Sequence, residues 1–278
     1  MSVLFSDTRP EAEAVLLALL RQAPAQRKLE MVGQLNRAAC ALALAGLRQR
    51  YAEATPGELR RHLAGLLLGP ELAARVADLS GNEVNPMTEP VAVTLLVIEA
   101  LEALDVPYFI GGSFASALYG VVRTTLDADL VADLRPEHAE PFARRLSAAF
   151  YVDLDSILDA IQRRDSFNVI HLESMFKVDI FIPRQRPYDR AQFARRVEKI
   201  VAVDAERAAY FASAEDTILA KLDWYRQESG VSERQWRDVL GVLKTQSGRL
   251  DLDYLRRWAA ELSVADLLER ALGEMEAT

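Results

Sequence analysis

Residues 109–130 carry the sequence FIGGSFASALYGVVRTTLDADL, and this stretch decides the fold. It opens with the end of a short apolar run and continues through a glycine–glycine–serine turn at 111–113. A pair of aspartates, Asp127 and Asp129, follows and is separated by one small residue. The order of residue types predicts a strand, a tight turn, a short helix and a second strand that carries carboxylates.

The aspartates fall on one face of the second predicted strand. In LDADLVADL (126–134) the apolar residues alternate with Asp127 and Asp129, and residues i and i+2 of a strand project from the same face. A third carboxylate, Asp179, interrupts the apolar run MFKVDIFI (175–182), where its two neighbours point into a core and Asp179 points away from it. One face can therefore pack while the other presents carboxylates to a cleft.

Carboxylates this close together repel one another. A divalent cation between them removes that repulsion and gains hard oxygen ligands, which suits Mg²⁺ or Mn²⁺. A third carboxylate allows two such ions, roughly 3.5–4 Å apart, that activate an attacking hydroxyl and stabilise leaving pyrophosphate. We expect Asp127, Asp129 and Asp179 to be the metal ligands and the catalytic carboxylates. A solvated strand face is the alternative for Asp127 and Asp129.

The glycine turn suits a phosphate. Gly111 and Gly112 let backbone come close to a ligand, and free N–H groups at a helix start attract phosphate oxygens. The Ser113 hydroxyl can donate to the same oxygens. These three residues are therefore predicted to bind the nucleoside triphosphate (NTP), and a plain strand–helix turn is the alternative.

With these motifs the chain resembles the nucleotidyltransferase superfamily that includes DNA polymerase beta and kanamycin nucleotidyltransferase. It is similar more narrowly to bacterial AbiEii-like toxins and related uncharacterised nucleotidyltransferases, over roughly residues 90–245. The shared pattern is glycine–serine, an aspartate pair, a later carboxylate and a lysine on a following helix. Here the pattern falls on Gly112, Ser113, Asp127, Asp129, Asp179 and Lys221. The run YGVVRTT (119–125) also resembles that subgroup.

The resemblance implies transfer of a nucleoside monophosphate from an NTP to an acceptor hydroxyl on an RNA end such as tRNA, a protein or a small molecule. It also implies a toxin of a toxin–antitoxin or abortive-infection system, with an antitoxin or a neighbouring-gene product as partner. Two rival functions stay open. One is a protein of this fold that senses NTP without turnover, and the other is an interaction protein that docks a partner.

Three further polar residues have two interpretations each. Arg123 either touches substrate or braces the aspartates, or it is a surface or salt-bridge residue. Lys221, on the helix expected after the capping pair Ser213 and Asp216, either binds phosphate as a catalytic residue or extends its amine to solvent. Asp238, a candidate by resemblance, is expected to be solvated or to support other side chains.

Composition narrows the class of protein. Residues 1–86 hold ten Lys/Arg against nine Asp/Glu, and the remainder holds 23 against 32, so the predicted catalytic part is acidic and a large nucleic-acid footprint there is disfavoured. The single cysteine, Cys40, excludes an internal disulfide. No apolar run is long enough for a membrane span, and no signal-peptide layout opens the chain, so a cytoplasmic location is expected.

The fold class expected is α+β, with a small mixed nucleotidyltransferase sheet covered by helices on one face. Helices are predicted at 12–22, 27–51, 56–68 and from Pro70, and they form an N-terminal helical module, 1–86. The polar segment 80–90 is the predicted linker to the core, 87–210, which is followed by a C-terminal helical region, 211–278. Within the core, 166–172 and 175–182 form a hairpin, and 199–204 adds an edge strand.

Overall fold

The structure, a computed structural model, describes residues 4, 8–76, 89–202, 207–227 and 230–276. The helices are α1 Pro10–Gln22, α2 Ala25–Arg50, α3 Pro56–Leu68, α4 Pro70–Val76, α5 Pro90–Glu102, α6 Gly112–Tyr119, α7 Pro136–Leu146, α8 Leu154–Arg163, α9 Pro187–Arg195, α10 Ala214–Gln227, α11 Glu233–Thr245, α12 Leu252–Glu261 and α13 Ala265–Glu276. The strands are β1 Tyr108–Ile110, β2 Asp127–Ala132, β3 Phe150–Tyr151, β4 Ser166–His171, β5 Lys177–Phe181, β6 Val197–Ala202 and β7 Arg207–Phe211.

The chain divides into two compact units that interleave along the sequence. Unit 1 consists of residues 1–30, 110–123 and 185–278, and unit 2 consists of residues 31–109 and 124–184. The predicted domains 1–86, 87–210 and 211–278 stay a prediction. The boundary expected near residue 86 and most of the predicted linker fall among residues 77–88, outside the described residues.

Unit 2 contains the strands that carry the carboxylates, in the order β3-β4-β5-β2, with Tyr108 and Phe109 of β1 next to β2. β2 and β5 are parallel, and β4 pairs antiparallel with both β5 and β3. Ala128, Leu130 and Ala132 are fully buried and alternate with the partly exposed Asp127 and Asp129, as the sequence pattern predicts. The predicted hairpin over β4 and β5 is confirmed.

Unit 1 combines a β pair with a helical cluster. Ile110, the last residue of β1, pairs in parallel with Phe211 of β7, and β7 pairs antiparallel with β6. Helices α6, α10, α11 and α12 pack around a core that includes Ile218, Leu222 and Leu243. Helix α9 and strand β7 are not predicted from the sequence.

Local capping explains where two of the predicted helices begin. The Thr55 hydroxyl accepts a hydrogen bond from the Glu58 N–H at 3.3 Å, and the Glu58 carboxylate accepts one from the Thr55 N–H at 2.8 Å. At the start of α10, the Ser213 hydroxyl accepts from the Asp216 N–H at 3.0 Å and donates to its carboxylate at 2.8 Å. Each pair satisfies backbone groups that a helix end leaves free.

The observed architecture confirms the predicted α+β class, with a mixed sheet and many helices. The expected edge strand 199–204 corresponds to β6, Val197–Ala202. Residues 203 and 204 lie outside the described residues. Among the helices that the structure describes, none is both long enough and apolar enough to cross a membrane.

Candidate active site

Unit 2 brings the three predicted metal ligands onto one face of its sheet. In the parallel register of β2 and β5, Asp129 lies directly opposite Asp179, and Asp127 lies opposite Lys177. Adjacent strands are about 4.8 Å apart, so all four side chains belong to one compact patch. Asn168 of β4 pairs with Asp179 on the other side of β5 and joins the same face.

Lys177 is the residue of this patch that the sequence interpretation missed. Its Nζ lies 2.5 Å from Asp179 Oδ2 and 3.6 Å from Asp127 Oδ2. The signal was present in MFKVDIFI, because Lys177 precedes Asp179 by two residues and therefore shares its face of the strand. The ammonium places one positive charge among three carboxylates.

The pKa values of this patch follow from burial and charge. Burial raises the pKa of Asp179, and Asp127 adds to the rise, while Lys177 opposes it without cancelling it. Burial lowers the pKa of Lys177, but its hydrogen bond to Asp179 and the charges of the three aspartates outweigh burial and raise it. Lys177 therefore favours the ionised form of Asp179, whereas burial opposes it.

The carboxylates suit a divalent cation in their chemistry. Three hard oxygen donors on one face, with negative charge in excess, are what Mg²⁺ or Mn²⁺ binds. Across the part of the chain that the structure describes, however, no group of three or more His, Cys, Asp or Glu side chains is arranged to hold a metal ion. The cation that the structure places beside these carboxylates is the Lys177 ammonium, which lies near Asp179 and Asp127.

The predicted phosphate-binding turn lies in unit 1, at the start of α6. Gly111 precedes the helix, and Gly112, its first residue, has φ +51°, a left-handed conformation that glycine adopts without a steric cost. Ser113 follows in the first turn, and its hydroxyl oxygen accepts a hydrogen bond from Arg123 Nη2 at 2.9 Å. The turn and the arginine are thus connected directly.

A buried ion cluster holds Arg123 in place. Its Nε and Nη2 donate to the two oxygens of Asp238 at 2.9 and 2.7 Å, and Lys221 Nζ lies 2.9 Å from Asp238 Oδ2. Burial raises the pKa of Asp238, but the hydrogen bond from Arg123 and the charges of Lys221 and Arg123 prevail and lower it. Asp238 therefore stays ionised between two cations.

Of the two roles expected for Asp238, solvation is wrong and the support of other side chains is what the structure shows. Its side chain is buried because α10 and α11 pack against each other and against α6, which brings the two cations to it. The idea that Lys221 extends its amine to solvent is also wrong, because its Nζ is buried beside Asp238 Oδ2. Arg123 is a salt-bridge partner, as one of its two interpretations states, and the carboxylate that it binds is Asp238.

Close backbone contact between α6 and α11 fixes this cluster. A Cβ atom on Gly120, at the end of α6, would lie 2.9 Å from the Val242 backbone nitrogen and 3.0 Å from the Gly241 carbonyl carbon. Gly241 and Val242 belong to α11 and follow Asp238 by three and four residues. The absence of a side chain at position 120 therefore lets α11 bring Asp238 to Arg123.

The predicted site residues thus form two groups. Asp127, Asp129 and Asp179 meet in unit 2, where Lys177 joins them. In unit 1, Ser113 contacts Arg123, and Asp238 joins Arg123 to Lys221.

Comparisons with known proteins give one family match and several similar structures. A family model described as Rv0078B-related antitoxin matches residues 21–85, which is less than a quarter of the chain. No curated protein matches.

Among solved structures, the chain is similar to an antigenic nucleotidyltransferase-like protein from Paracoccidioides brasiliensis, with 18% identity and a TM-score of 0.39 over 62% of this chain and 90% of that chain. It is also similar to the antibiotic-resistance factor ANT(2'')-Ia, with 18% identity and a TM-score of 0.42 over 65% of this chain and 95% of that one.

Proposed function

We propose that this protein transfers a nucleoside monophosphate from an NTP to an acceptor hydroxyl. The observation that carries the proposal is the patch on β2 and β5, in which Asp129 lies opposite Asp179 and Asp127 shares their face. A strand face with three acidic side chains is unfavourable unless a cation or a cationic residue compensates them. Lys177 supplies one positive charge to three acidic side chains, so a bound cation would compensate the rest.

Each residue has a role in this proposal. Asp127, Asp129 and Asp179 would hold a divalent cation, which supplies Lewis-acid stabilisation of the negative charge that develops on the phosphates. Asp179 would also accept the proton of the acceptor hydroxyl, while the oxygen of that hydroxyl forms a bond to the α-phosphorus. The bond between the α-phosphorus and the bridging oxygen breaks, and pyrophosphate leaves with that oxygen.

The turn at the start of α6 would supply contacts to the phosphates. The backbone N–H groups at Gly111 and Gly112, where α6 begins, would donate to phosphate oxygens, and the Ser113 hydroxyl could donate to the same group. Arg123, held by Asp238, already contacts Ser113 and would add positive charge there. Lys221 would help to neutralise the charge of the leaving group, with its ammonium held by Asp238.

The biological setting that we propose is a toxin–antitoxin or abortive-infection system. It is supported by the resemblance to AbiEii-like toxins and by the antitoxin-related family model that matches residues 21–85. In this setting the acceptor would be an RNA end such as that of tRNA or a protein hydroxyl. A separate antitoxin or another product of a neighbouring gene would be the partner.

A second candidate function is NTP sensing or partner binding without turnover. The observation that favours it is Lys177, which already gives Asp127 and Asp179 a counter-charge without a metal ion. The two functions differ in a measurable way. A sensor binds NTP and releases no pyrophosphate, whereas a transferase releases pyrophosphate once its acceptor is present.

The first experiment measures thermal stability with each of the four NTPs, with and without Mg²⁺. Ligand at about 100 times Kd adds about 2.7 kcal/mol to the free energy of unfolding, which raises Tm by a few degrees. We expect a Mg²⁺-dependent shift that the double variant Asp127→Asn/Asp129→Asn loses. Asp159→Asn is the matched control, because Asp159 is exposed on α8 of the same unit and pairs only with an exposed arginine among the contacts described.

Pyrophosphate release is then measured with RNA, protein and small-molecule acceptors. Release that needs Asp129 supports the transferase, and Asp129→Ala should lower the rate by orders of magnitude. An NTP-dependent shift without release from any acceptor supports the sensor. If the double variant keeps the full shift, the aspartates do not bind the nucleotide and the proposal fails.

A further inference from the structure

Asn36, in the middle of α2, is a buried amide that binds backbone. The side chain is 8% exposed. Its Nδ2 donates to the Thr125 carbonyl oxygen at 2.6 Å, and its Oδ1 accepts from the Thr125 N–H at 3.0 Å. Both residues belong to unit 2. A side-chain amide carries both a donor and an acceptor, so Asn36 satisfies both backbone groups of Thr125 as a neighbouring strand would.

Thr125 leads directly to the carboxylate patch. It lies two residues before Asp127, where β2 begins. Its hydroxyl lies 3.1 Å from Asp127 Oδ1 and 3.0 Å from the Asp127 carbonyl oxygen, so its single proton is shared between these two acceptors. Asn36 therefore fixes the backbone of the residue whose side chain orients the Asp127 carboxylate.

Helix α2 is itself held in place beside this contact. Gly33 and Arg37 lie three residues before and one residue after Asn36, and both contact Glu89, which precedes α5. Arg37 forms an ion pair with Glu89. A Cβ on Gly33 would lie 2.6 Å from the Glu89 carboxylate, so glycine permits the close approach. The position of Asn36 is thus set by the neighbouring turn of its own helix.

The N-terminal helices make a second contact of a similar kind in unit 2. Arg60 of α3 donates from Nη2 to the Leu172 carbonyl oxygen at 2.6 Å, in the turn after β4. This contact also joins a buried polar side chain to backbone, but it leads to a turn and not to an aspartate. It gives a matched comparison for Asn36.

We propose that Asn36 is a positioning residue for Asp127, so that the N-terminal helical segment is part of the cation site. The inference rests on the proposed function, because it assumes that Asp127 binds a divalent cation. Through Thr125, Asn36 keeps the Asp127 carboxylate on the face that it shares with Asp129 and Asp179. Residues that support a metal ligand commonly change metal affinity by about 10–100-fold when they are replaced.

The test measures Mn²⁺ affinity by titration calorimetry, with no nucleotide, and Tm for the same full-length variants. Asn36→Asp keeps the size of the side chain and the acceptor for the Thr125 N–H, but it places an oxygen against the Thr125 carbonyl. Thr125→Val keeps the backbone and removes only the hydroxyl. We expect each to weaken Mn²⁺ binding about tenfold. Arg60→Met, which loses its bond to Leu172, should lower Tm and leave Mn²⁺ affinity within about twofold of wild type.

The outcomes separate this inference from the proposed function. If wild type binds Mn²⁺, Asp127→Asn abolishes binding, and Asn36→Asp and Thr125→Val both bind like wild type, then the inference is overturned and the proposed function stands. Equal losses of affinity in Asn36→Asp and Arg60→Met would also overturn it, since the effect would then be one of stability. If wild type binds no Mn²⁺, the metal part of the proposed function fails and the inference fails with it.

Discussion

Arg123 and Asp238 form a two-point ion pair, with Nε–Oδ1 at 2.9 Å and Nη2–Oδ2 at 2.7 Å, between residues 115 positions apart in the chain. Lys221 adds a second cation at 2.9 Å from the same carboxylate. Two parallel hydrogen bonds hold a guanidinium in one orientation, which a single charge contact does not do. Arg123 is therefore oriented toward Ser113 before any ligand arrives.

Removing the carboxylate from this cluster should destabilise the protein strongly. Asp238→Asn leaves two cations without a counter-charge in a buried place, which costs about 3–5 kcal/mol of unfolding free energy. Lys221→Met should cost less, because Asp238 keeps its two hydrogen bonds to Arg123. Urea denaturation of both variants measures the difference. Asp266→Asn is the control, since Asp266 and its partner Arg226 are exposed and their pair contributes little. Equal losses in all three variants would show that the cluster has no special stability.

The close contact at Gly120 should not tolerate a methyl group. In Gly120→Ala the new Cβ meets backbone atoms of α11 at 2.9–3.0 Å, which cannot move away as a flexible side chain would. We expect a loss of about 1–3 kcal/mol of unfolding free energy. Gly65→Ala in α3 is the matched control, because nothing lies within 4 Å of its Cβ and alanine favours a helix by about 1 kcal/mol. A neutral result at position 120 would mean that α6 and α11 can separate without cost.

Replacing Lys177 should change stability and cation affinity in opposite directions. In Lys177→Gln the carboxylates of Asp127 and Asp179 lose their counter-charge, so the protein without divalent ions becomes less stable. Mn²⁺ then meets no competing ammonium, and its affinity should rise roughly tenfold, which equals about 1.4 kcal/mol. Calorimetric titration and Tm without added ions measure the two effects. Arg163→Gln, which removes an exposed positive charge from the same unit, should change neither. Weaker Mn²⁺ binding in Lys177→Gln would show that the amine supports the ion instead of competing with it.

The buried amine of Lys28 should make stability depend on pH in the alkaline range. Its Nζ donates to the Leu118 carbonyl at 2.7 Å, and the side chain is 4% exposed. Burial, with the charges of Arg249 and Lys199, lowers the pKa of Lys28 from 10.5 to about 8. Between pH 8 and 10.5 the unfolded chain therefore binds more protons than the folded one, so the free energy of unfolding rises with pH.

The difference in unfolding free energy between wild type and Lys28→Met isolates this effect from the titration of other groups. This difference should stay constant below about pH 7. Between there and pH 10.5 it should shift in favour of wild type by on the order of 3 kcal/mol, because each unit of pKa difference corresponds to about 1.4 kcal/mol. Urea denaturation at pH 6, 8 and 10 measures it. A difference that does not change with pH would show that Lys28 is already solvated in the folded state.

Much of the secondary structure was predictable because its causes are local. The start of α3 was predicted at Pro56, and the capping contacts between Thr55 and Glu58 show why the helix begins there. The alternation around Asp127 and Asp129 likewise predicts β2, since burial on every second residue is a property of a single strand. Strand β7 has no such mark, because its small residues at 208 and 209 give a weak pattern and its place depends on pairing with β1 and β6.

The candidate site divides in the same way. Strand periodicity alone determined that Asp127 and Asp129 share a face and that Asp179 lies opposite to its apolar neighbours. The tertiary structure decided that β2 and β5 are adjacent in parallel register, which places Asp129 opposite Asp179 and Lys177 opposite Asp127. It also decided that Asp238 is buried with Arg123 and that Asn36 binds Thr125. Strand alternation and helix capping depend on a few consecutive residues, whereas these contacts join residues about 50–115 positions apart, and only the packing of the folded chain brings such residues together.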